Sequence, residues 1–259
     1  MASFQVAARE YMSSPLKTVR ASSFIDHAHR QLQQFRVSAL PVVDEDDRVV
    51  GVISRTDVLQ VGKREANSRP GAHLLAFPAK PISKFMTPDP ISTPADTPLA
   101  QVANLMVKNR IHRVFLTDAD GTVGIVTTRD LMRAIREQQL STPLGKYMSS
   151  PLFTIRASEP ISLASERLGK AKVTGLVVVD GDWPVGIFTQ LEALESRELP
   201  RDTPTEACMN PGILVLDEAT PIYRAAAQAS VMQARRIVVT RSGNAVGIVT
   251  GLDFAKIVA

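Results

Sequence analysis

A hydroxyl and a carboxylate recur with one spacing at four places in the sequence. Each copy reads glycine, two apolar residues, serine or threonine, two variable residues and then an acid. The pairs are Ser54 with Asp57, Thr127 with Asp130, Thr189 with Glu192, and Thr250 with Asp253. At a helix start, free N–H groups attract a phosphate, and a carboxylate one turn later can accept hydrogen bonds from a ribose diol. The same pattern is a capping box that stabilises a helix without any ligand, so both interpretations stay open.

The residues around each pair predict a repeated structural unit. The phrase YMSSPL occurs at 11–16 and again at 147–152, and similar phrases begin with Met86 and Met209. Each phrase is followed by a helical pattern and then by two short apolar runs separated by a turn. A last helix begins directly after the hydroxyl, so each unit reads strand, helix, strand, strand, helix. A unit of this size buries too little surface alone, and we expect it to pair with another.

Four such units cover nearly the whole chain. They span residues 8–62, 82–136, 144–197 and 205–259. The first most resembles the third, which indicates that an ancestral pair was duplicated. We therefore expect an α/β (α+β) fold with two domains of two repeats each, residues 1–140 and 141–259. The longest connector, residues 60–82, contains Arg, Gly and Pro and predicts a surface loop.

The composition is that of an ordinary globular protein and disfavours several classes. Hydrophobic residues make up 44% and charged residues 22% of the chain, and no apolar run reaches the roughly 18 residues of a membrane span. The start of the sequence has no signal-peptide pattern, and Cys208 is the single cysteine, so we expect a cytoplasmic protein without disulfides. A net charge of +4 with 5% aromatic residues makes nucleic acid an unfavoured partner.

Residues that would support catalysis or metal binding are scarce. His27 and His29 lie two positions apart on a predicted helix and point to different faces. The sequence contains neither G-x-x-x-x-G-K-[ST] nor G-x-G-x-x-G, and its histidines offer no convincing triad. We therefore expect no enzymatic activity, no metal site and no catalytic cofactor.

Four units with an opening methionine, a P-V-V-D-type strand and G-I-V-T-x-x-D resemble the cystathionine beta-synthase (CBS) domain. The resemblance implies two Bateman modules, each a pair of repeats whose clefts commonly bind AMP, ADP, ATP or S-adenosylmethionine. It also implies that the acid binds the ribose hydroxyls and that the Ser or Thr lies near the phosphate. The first, second and fourth pairs match the family pattern. Glu192 departs from it, because its side chain is one methylene longer than that of Asp.

The resemblance also implies roles for residues outside the hydroxyl–acid pairs. The opening-strand positions that often line the base or ribose are Thr18, Ser92 and Thr154. The fourth repeat has Val215 there and lacks the polar contact.

A third set consists of basic residues before the first strand of the hairpin. The segment NRIHRVF is similar to the His-Arg pair that grips phosphates in the AMP-activated protein kinase gamma subunit. His112 and Arg113 are thus candidates for phosphate binding, and Arg235 and Arg236 hold the same positions in the fourth repeat. The alternative is a solvated corner between helix and strand.

The function implied is that of a regulatory protein that senses adenine nucleotides as regulatory ligands. It would pass occupancy on to a separate target protein or through self-association, with a homodimer formed by the exit helices. Three alternatives stay open: an interaction scaffold with empty clefts, a nucleic-acid-binding regulator of the same fold, and a stand-alone enzyme of unrecognised chemistry.

Overall fold

Every repeat has the order strand, helix, strand, strand, helix, and the second repeat has one additional short strand before it, which pairs with a strand of the first repeat. The computed structural model describes residues 4–66 and 71–259, and within them it contains eight α-helices and four small sheets. The first repeat consists of β1 (Val19–Arg20), α1 (Ile25–Gln34), β2 (Ala39–Val43), β3 (Val49–Ser54) and α2 (Arg55–Glu65). The second consists of β4 (Thr87–Pro88), β5 (Ser92–Pro94), α3 (Leu99–Asn109), β6 (Arg113–Asp118), β7 (Gly121–Thr127) and α4 (Thr128–Glu137).

The second half of the chain repeats this order. The third repeat consists of β8 (Thr154–Arg156), α5 (Ile161–Lys170), β9 (Gly175–Asp180), β10 (Trp183–Thr189) and α6 (Gln190–Glu195). The fourth consists of β11 (Val215–Asp217), α7 (Ile222–Val231), β12 (Arg236–Arg241), β13 (Asn244–Thr250) and α8 (Gly251–Val258). The predicted α/β class and the βαββα order are confirmed.

The central strand of each sheet is the one that follows the repeat's first helix. The opening strand pairs with it in parallel, and the next strand returns antiparallel as a hairpin. The third and fourth repeats have the same arrangement. In every repeat the last strand ends at the hydroxyl residue and the exit helix begins at the next residue. This tight exit places the hydroxyl at the N-cap of the helix.

The chain divides into two compact units, and each unit contains parts of alternate repeats. The first unit comprises the chain up to Leu16 together with Ile91–Leu152 and Ile213–Ala259. Its core is formed where α4 packs against α7 and α8 and where α3 packs against α8. Leu131, Ile135 and Phe254 are among the side chains that this packing buries completely.

The second unit comprises Lys17–Pro90 and Phe153–Gly212. Here α2 packs against α6, and the core contains the fully buried Ile25, Ile53 and Phe188. These compact units differ from the predicted division into 1–140 and 141–259, because the helices of alternate repeats share cores. The pairing of repeat one with two, and of three with four, stays a prediction.

A contact between a methionine and a glycine explains why both residues recur in every repeat. In the first unit Ser13 forms a bridge with Ile125, and Ser149 forms one with Ile248. The methionine before each serine then lies against the glycine of the neighbouring strand. A Cβ on Gly124 would be only 2.6 Å from Met12 Sδ, so the strand accepts no side chain there.

The same contact occurs in the second unit. Gly51 pairs with Pro88 and faces Met86, and Gly186 faces Met209 beside the bridge between Ile187 and Asn210. In both units, therefore, the opening methionine of one repeat lies against the glycine in the last strand of another repeat.

The connector between the first two repeats is only partly a loop. Helix α2 continues to Glu65, so the prediction of a loop from residue 60 was wrong for its first turn. Residues 67–70 lie outside the described residues. Farther along, Leu74 and Leu75 are buried, and their N–H groups donate to the carbonyls of Leu199 and Arg197. Burial of two leucines ties this segment to the core of the second unit.

Replacing Gly124 by alanine should destabilise the protein, because the added methyl group meets Met12 Sδ and the Ser13 carbonyl at 3.2 Å. We expect the free energy of unfolding, measured by urea denaturation, to fall by roughly 1–3 kcal/mol. The control is Gly169→Ala in α5, whose new Cβ meets only Lys63 Nζ, at 3.5 Å. Equal stability of the two variants would show that the methionine contact does not require glycine.

Candidate functional site

All four hydroxyl–acid pairs form capping boxes. In the first repeat, Asp57 Oδ2 accepts hydrogen bonds from the Ser54 backbone N–H at 2.8 Å and from Ser54 Oγ at 2.7 Å. In the second, Asp130 Oδ2 accepts the same two bonds from Thr127, both at 2.8 Å. Because both bonds end on Oδ2, the other oxygen, Oδ1, takes no part in the cap. The capping interpretation is therefore confirmed, and it leaves one oxygen of each acid for another purpose.

The acids of the first two repeats remain partly exposed. Asp57 and Asp130 each keep some solvent-accessible surface. Burial raises the pKa of Asp130, while hydrogen bonds from Thr127 and the charge of Arg133 act in the opposite direction. A partly buried carboxylate with one oxygen outside the cap is suited to accept hydrogen bonds from a ligand diol.

The acid of the fourth repeat has a different environment. Asp253 is only 2% exposed, and its Oδ2 accepts hydrogen bonds from the N–H and Oγ1 of Thr250, both at 2.9 Å. Its Oδ1 accepts a hydrogen bond from Ser149 Oγ at 3.1 Å and pairs with Lys256 Nζ at 2.9 Å. Sequence reasoning missed the Ser149 contact, because the two residues are far apart along the chain.

The acid of the third repeat is also buried. Glu192 is 6% exposed, and its Oε2 accepts hydrogen bonds from Thr189 Oγ1 and, at 2.8 Å, from the Thr189 N–H. The nearby Glu195 has a raised pKa, chiefly through burial and also through the negative charge of Glu192. Glu192 thus forms the same cap as the aspartates despite its extra methylene. The carboxylate of Glu195 lies near it.

The four basic candidates lie together in the first unit. Arg113 and Arg236 begin the central strands β6 and β12, and His112 and Arg235 directly precede them. Burial and, to a smaller extent, the charges of the three arginines lower the pKa of His112 to about 4, although the charge of Asp253 acts in the opposite direction. The imidazole is therefore neutral at physiological pH, and the positive charge comes from the arginines. We call these four residues the basic cluster.

Helices α4 and α8 begin beside the basic cluster. The Thr128 N–H donates to the His112 carbonyl at 3.1 Å. A Cβ on Gly251 would lie 2.4 Å from Thr128 Oγ1 and 3.3 Å from His112 Nδ1. The first residues of the two helices therefore approach so closely that only glycine fits at position 251. Sequence reasoning missed Thr128 and Gly251; the only signal was a glycine directly after the hydroxyl in the fourth copy.

The two units differ in charge at equivalent positions. In the second unit, Ser38 and Thr174 stand where the first unit has His112 and Arg235. The residues that follow them are Ala39 and Gly175. Helix N-termini attract anions in any unit, but arginines accompany them at these positions only in the first. The first unit is therefore the better site for an anionic group.

The opening-strand candidates occupy the expected edge of each sheet. Ser92 begins β5 opposite Phe115, and Thr154 begins β8 opposite Val177; both are exposed. Thr18 is partly exposed and lies one residue before β1, so it is not within the strand as predicted. Across the sheet from each of them lies the hydroxyl–acid pair of the same repeat.

Comparison with known proteins identifies the family. The CBS domain family matches residues 8–64, 82–137 and 144–198. The chain therefore belongs to the CBS domain family.

Similar proteins include both CBS domain proteins and an enzyme. The chain is 29% identical over 152 residues to the CBS domain-containing protein CBSX2, chloroplastic, of Arabidopsis thaliana, covering 49% of this chain and 63% of that protein. It is 26% identical over 127 residues to inosine-5'-monophosphate dehydrogenase of Methanocaldococcus jannaschii, covering 49% of this chain and 23% of the enzyme. The chain thus spans less than two thirds of either relative.

One solved structure matches along the whole chain. A Methanocaldococcus jannaschii protein described as a candidate archaeal homologue of g-AMPK superposes with a TM-score of 0.85 at 18% identity. The match covers 98% of this chain and 100% of that one. At this identity the likeness establishes the fold. Within the described ranges, no helix is long and apolar enough to cross a membrane.

The lowered pKa of His112 makes stability depend on pH. The unfolded chain binds the proton near pH 6.5 and the folded chain only near pH 4, so the free energy of unfolding should fall as the pH drops through this interval. His112→Gln should make that fall shallower, as urea denaturation at several pH values would measure. Part of the slope should remain, because burial also lowers the pKa of His29 to about 4. An unchanged slope in the variant would contradict the assignment.

Proposed function

We propose that this protein is a regulator that binds adenosine-containing ligands, such as AMP, ADP, ATP or S-adenosylmethionine. One observation carries the proposal: the partly exposed Asp130 shares a unit with the basic cluster and with the starts of α4 and α8. An acid for a diol and a positive site for phosphate are the two halves of nucleotide recognition. Membership of the CBS domain family supports the same function.

Each part of a nucleotide has a proposed partner in the first unit. Asp130 Oδ1 accepts hydrogen bonds from the ribose hydroxyls, and Ser92 lines the base or ribose from the opposite side of the sheet. Phosphate oxygens receive hydrogen bonds from the arginines of the basic cluster and from the N–H groups at the helix starts. Neutral His112 can donate one hydrogen bond to the same group.

The second unit offers a related site of different charge. Its candidates are Thr18, Ser54 and Asp57 in the first repeat. The third repeat has Thr154, Thr189 and Glu192 at the same positions, but there the acid is buried. Because this unit has no arginine at the positions of the basic cluster, we propose that its ligand is held mainly through the nucleoside part. We also propose that residues 205–259 are a fourth CBS repeat, since their element order matches that of the other three.

Ligand binding is proposed to act on a separate target protein or on self-association. A ligand shifts a conformational equilibrium only if it binds one state more tightly than the other. Homodimer formation stays a prediction, to be tested by light scattering with and without AMP. The exit helices that we expected at the interface bury Leu131, Ile135 and Phe254 inside the first unit, so a dimer would have to use other faces.

The alternatives make different predictions. A stand-alone enzyme would turn over the ligand, yet the enzyme that the chain resembles is matched over only 23% of its length. A scaffold would bind none of the four ligands, and a nucleic-acid regulator would bind RNA or DNA with strong salt dependence. A cytoplasmic location stays part of the proposal and rests on the single Cys208.

Removing the acids should weaken binding. A hydrogen bond to a charged group contributes roughly 1.5–3 kcal/mol, so Asp130→Ala or Asp57→Ala should raise the Kd of its site by about tenfold to a hundredfold. Calorimetric titration with the four ligands would measure this change. Loss of the cap should also lower stability by about 0.5–2 kcal/mol, so circular dichroism must confirm that each variant is folded.

The matched control is Asp120→Ala, which removes an exposed acid from the turn between β6 and β7 of the same repeat. Its affinity should equal that of the wild type. Unchanged affinity in the Asp57 and Asp130 variants would show that both acids serve only as helix caps. Absence of heat from all four ligands in the wild type would refute the proposed function itself.

A further inference from the structure

We infer that only the first two repeats bind a ribose, and that Asp253 and Glu192 are structural carboxylates rather than ligand-binding ones. The inference rests on the proposed function and concerns which of the four similar sites operate. It follows from how each carboxylate is already used in the folded chain.

Asp253 has no acceptor position left for a ligand. A carboxylate offers about four lone-pair directions, and the donors that reach Asp253 are the N–H and Oγ1 of Thr250, Ser149 Oγ and Lys256 Nζ. The side chain is 2% exposed. A ribose hydroxyl would have to displace Ser149 or Lys256 and would gain only what that donor already provides.

Two backbone hydrogen bonds hold Ser149 in place, and its hydroxyl binds Asp253 where a ligand hydroxyl would otherwise bind. Its N–H donates to the Ile248 carbonyl at 2.8 Å, and its carbonyl accepts from the Ile248 N–H at 3.0 Å. This pairing fixes the serine at the edge of β13, opposite Ile248, which lies three residues before the start of α8. The hydroxyl of the chain itself therefore occupies Oδ1, the oxygen that the second repeat leaves outside the cap.

The second repeat provides an internal comparison. Ser13 has the same pairing with Ile125, at 2.9 and 3.2 Å, yet in the described part of the chain it makes no hydrogen bond to Asp130. Asp130 keeps exposed surface, and Ser92 supplies a hydroxyl on the opening strand. The fourth repeat has Val215 at that position, so it lacks the opening-strand hydroxyl as well as an open acid.

The acid of the third repeat is buried for a different reason. The longer side chain of Glu192 folds its carboxylate onto Thr189 and is 6% exposed. Glu195, the last residue of α6, adds a second carboxylate that interacts electrostatically with Glu192, and negative charge here disfavours a phosphate. Asp57, the corresponding acid of the first repeat, keeps exposed surface in the same unit. Each unit therefore has one partly exposed acid and one buried acid.

Counting bound ligand tests the inference. Equilibrium dialysis of the full chain with radiolabelled AMP should give at most two AMP per chain. Asp57→Asn and Asp130→Asn should each lower the count or raise the Kd at least tenfold. Asp253→Asn and Glu192→Gln should leave the count unchanged and the Kd within twofold of the wild type, but should lower the midpoint of thermal unfolding.

A pair of serine variants tests whether Ser149 only stabilises the fold or instead covers a ligand site at Asp253. Ser149→Ala should lower the unfolding midpoint, because it removes a donor from a buried carboxylate, and should leave the AMP count unchanged. Ser13→Ala, at the equivalent exposed position, should change neither. An additional AMP bound by Ser149→Ala would overturn the inference, as would three or four AMP in the wild type or lost binding in Asp253→Asn. If AMP does not bind the wild type and ADP, ATP and S-adenosylmethionine give no heat either, the proposed function is refuted and, with it, this inference; if one of those three binds, the same count is made with that ligand.

Discussion

The carboxylate at the third position of each exit helix has two oxygens, and the helix cap uses only one of them. Oδ2 of Asp57 and of Asp130 receives both capping bonds, so the helix start is stable before any ligand arrives. The tight exit from strand to helix also places this carboxylate in the first turn of the helix, where backbone N–H groups lack an intrahelical partner. Capping and recognition are therefore compatible in one side chain, and the position of the site depends on the cap.

Four copies of this arrangement have different environments, which shows how a duplicated site can change its use. Partial exposure keeps Asp57 and Asp130 available, whereas Ser149 and Lys256 complete the hydrogen bonding of Asp253. Arginines near α4 and α8 favour an anion in the first unit. At the same positions the second unit has uncharged residues. Small differences beside a constant cap thus underlie the different binding properties that we propose.

The sequence was sufficient for most of the local structure, except for the end of α2 and the start of β1. The order of strands and helices, the hydroxyl at each N-cap and the acid of each cap follow from spacing within a few residues. The contact of Ser149 with Asp253 and the approach of Gly251 to Thr128 could not be predicted, because they join distant segments. The sharing of cores by alternate repeats is non-local for the same reason. Binding by the candidate residues stays a prediction.

The most direct test of this account is a crystal structure of the protein grown with AMP. The account predicts a ribose within hydrogen-bond distance of Asp130 Oδ1, with its phosphate against the basic cluster. It also predicts that Ser149 still donates to Asp253. A nucleotide bound at Asp253 in place of Ser149, or one bound away from all four carboxylates, would contradict it.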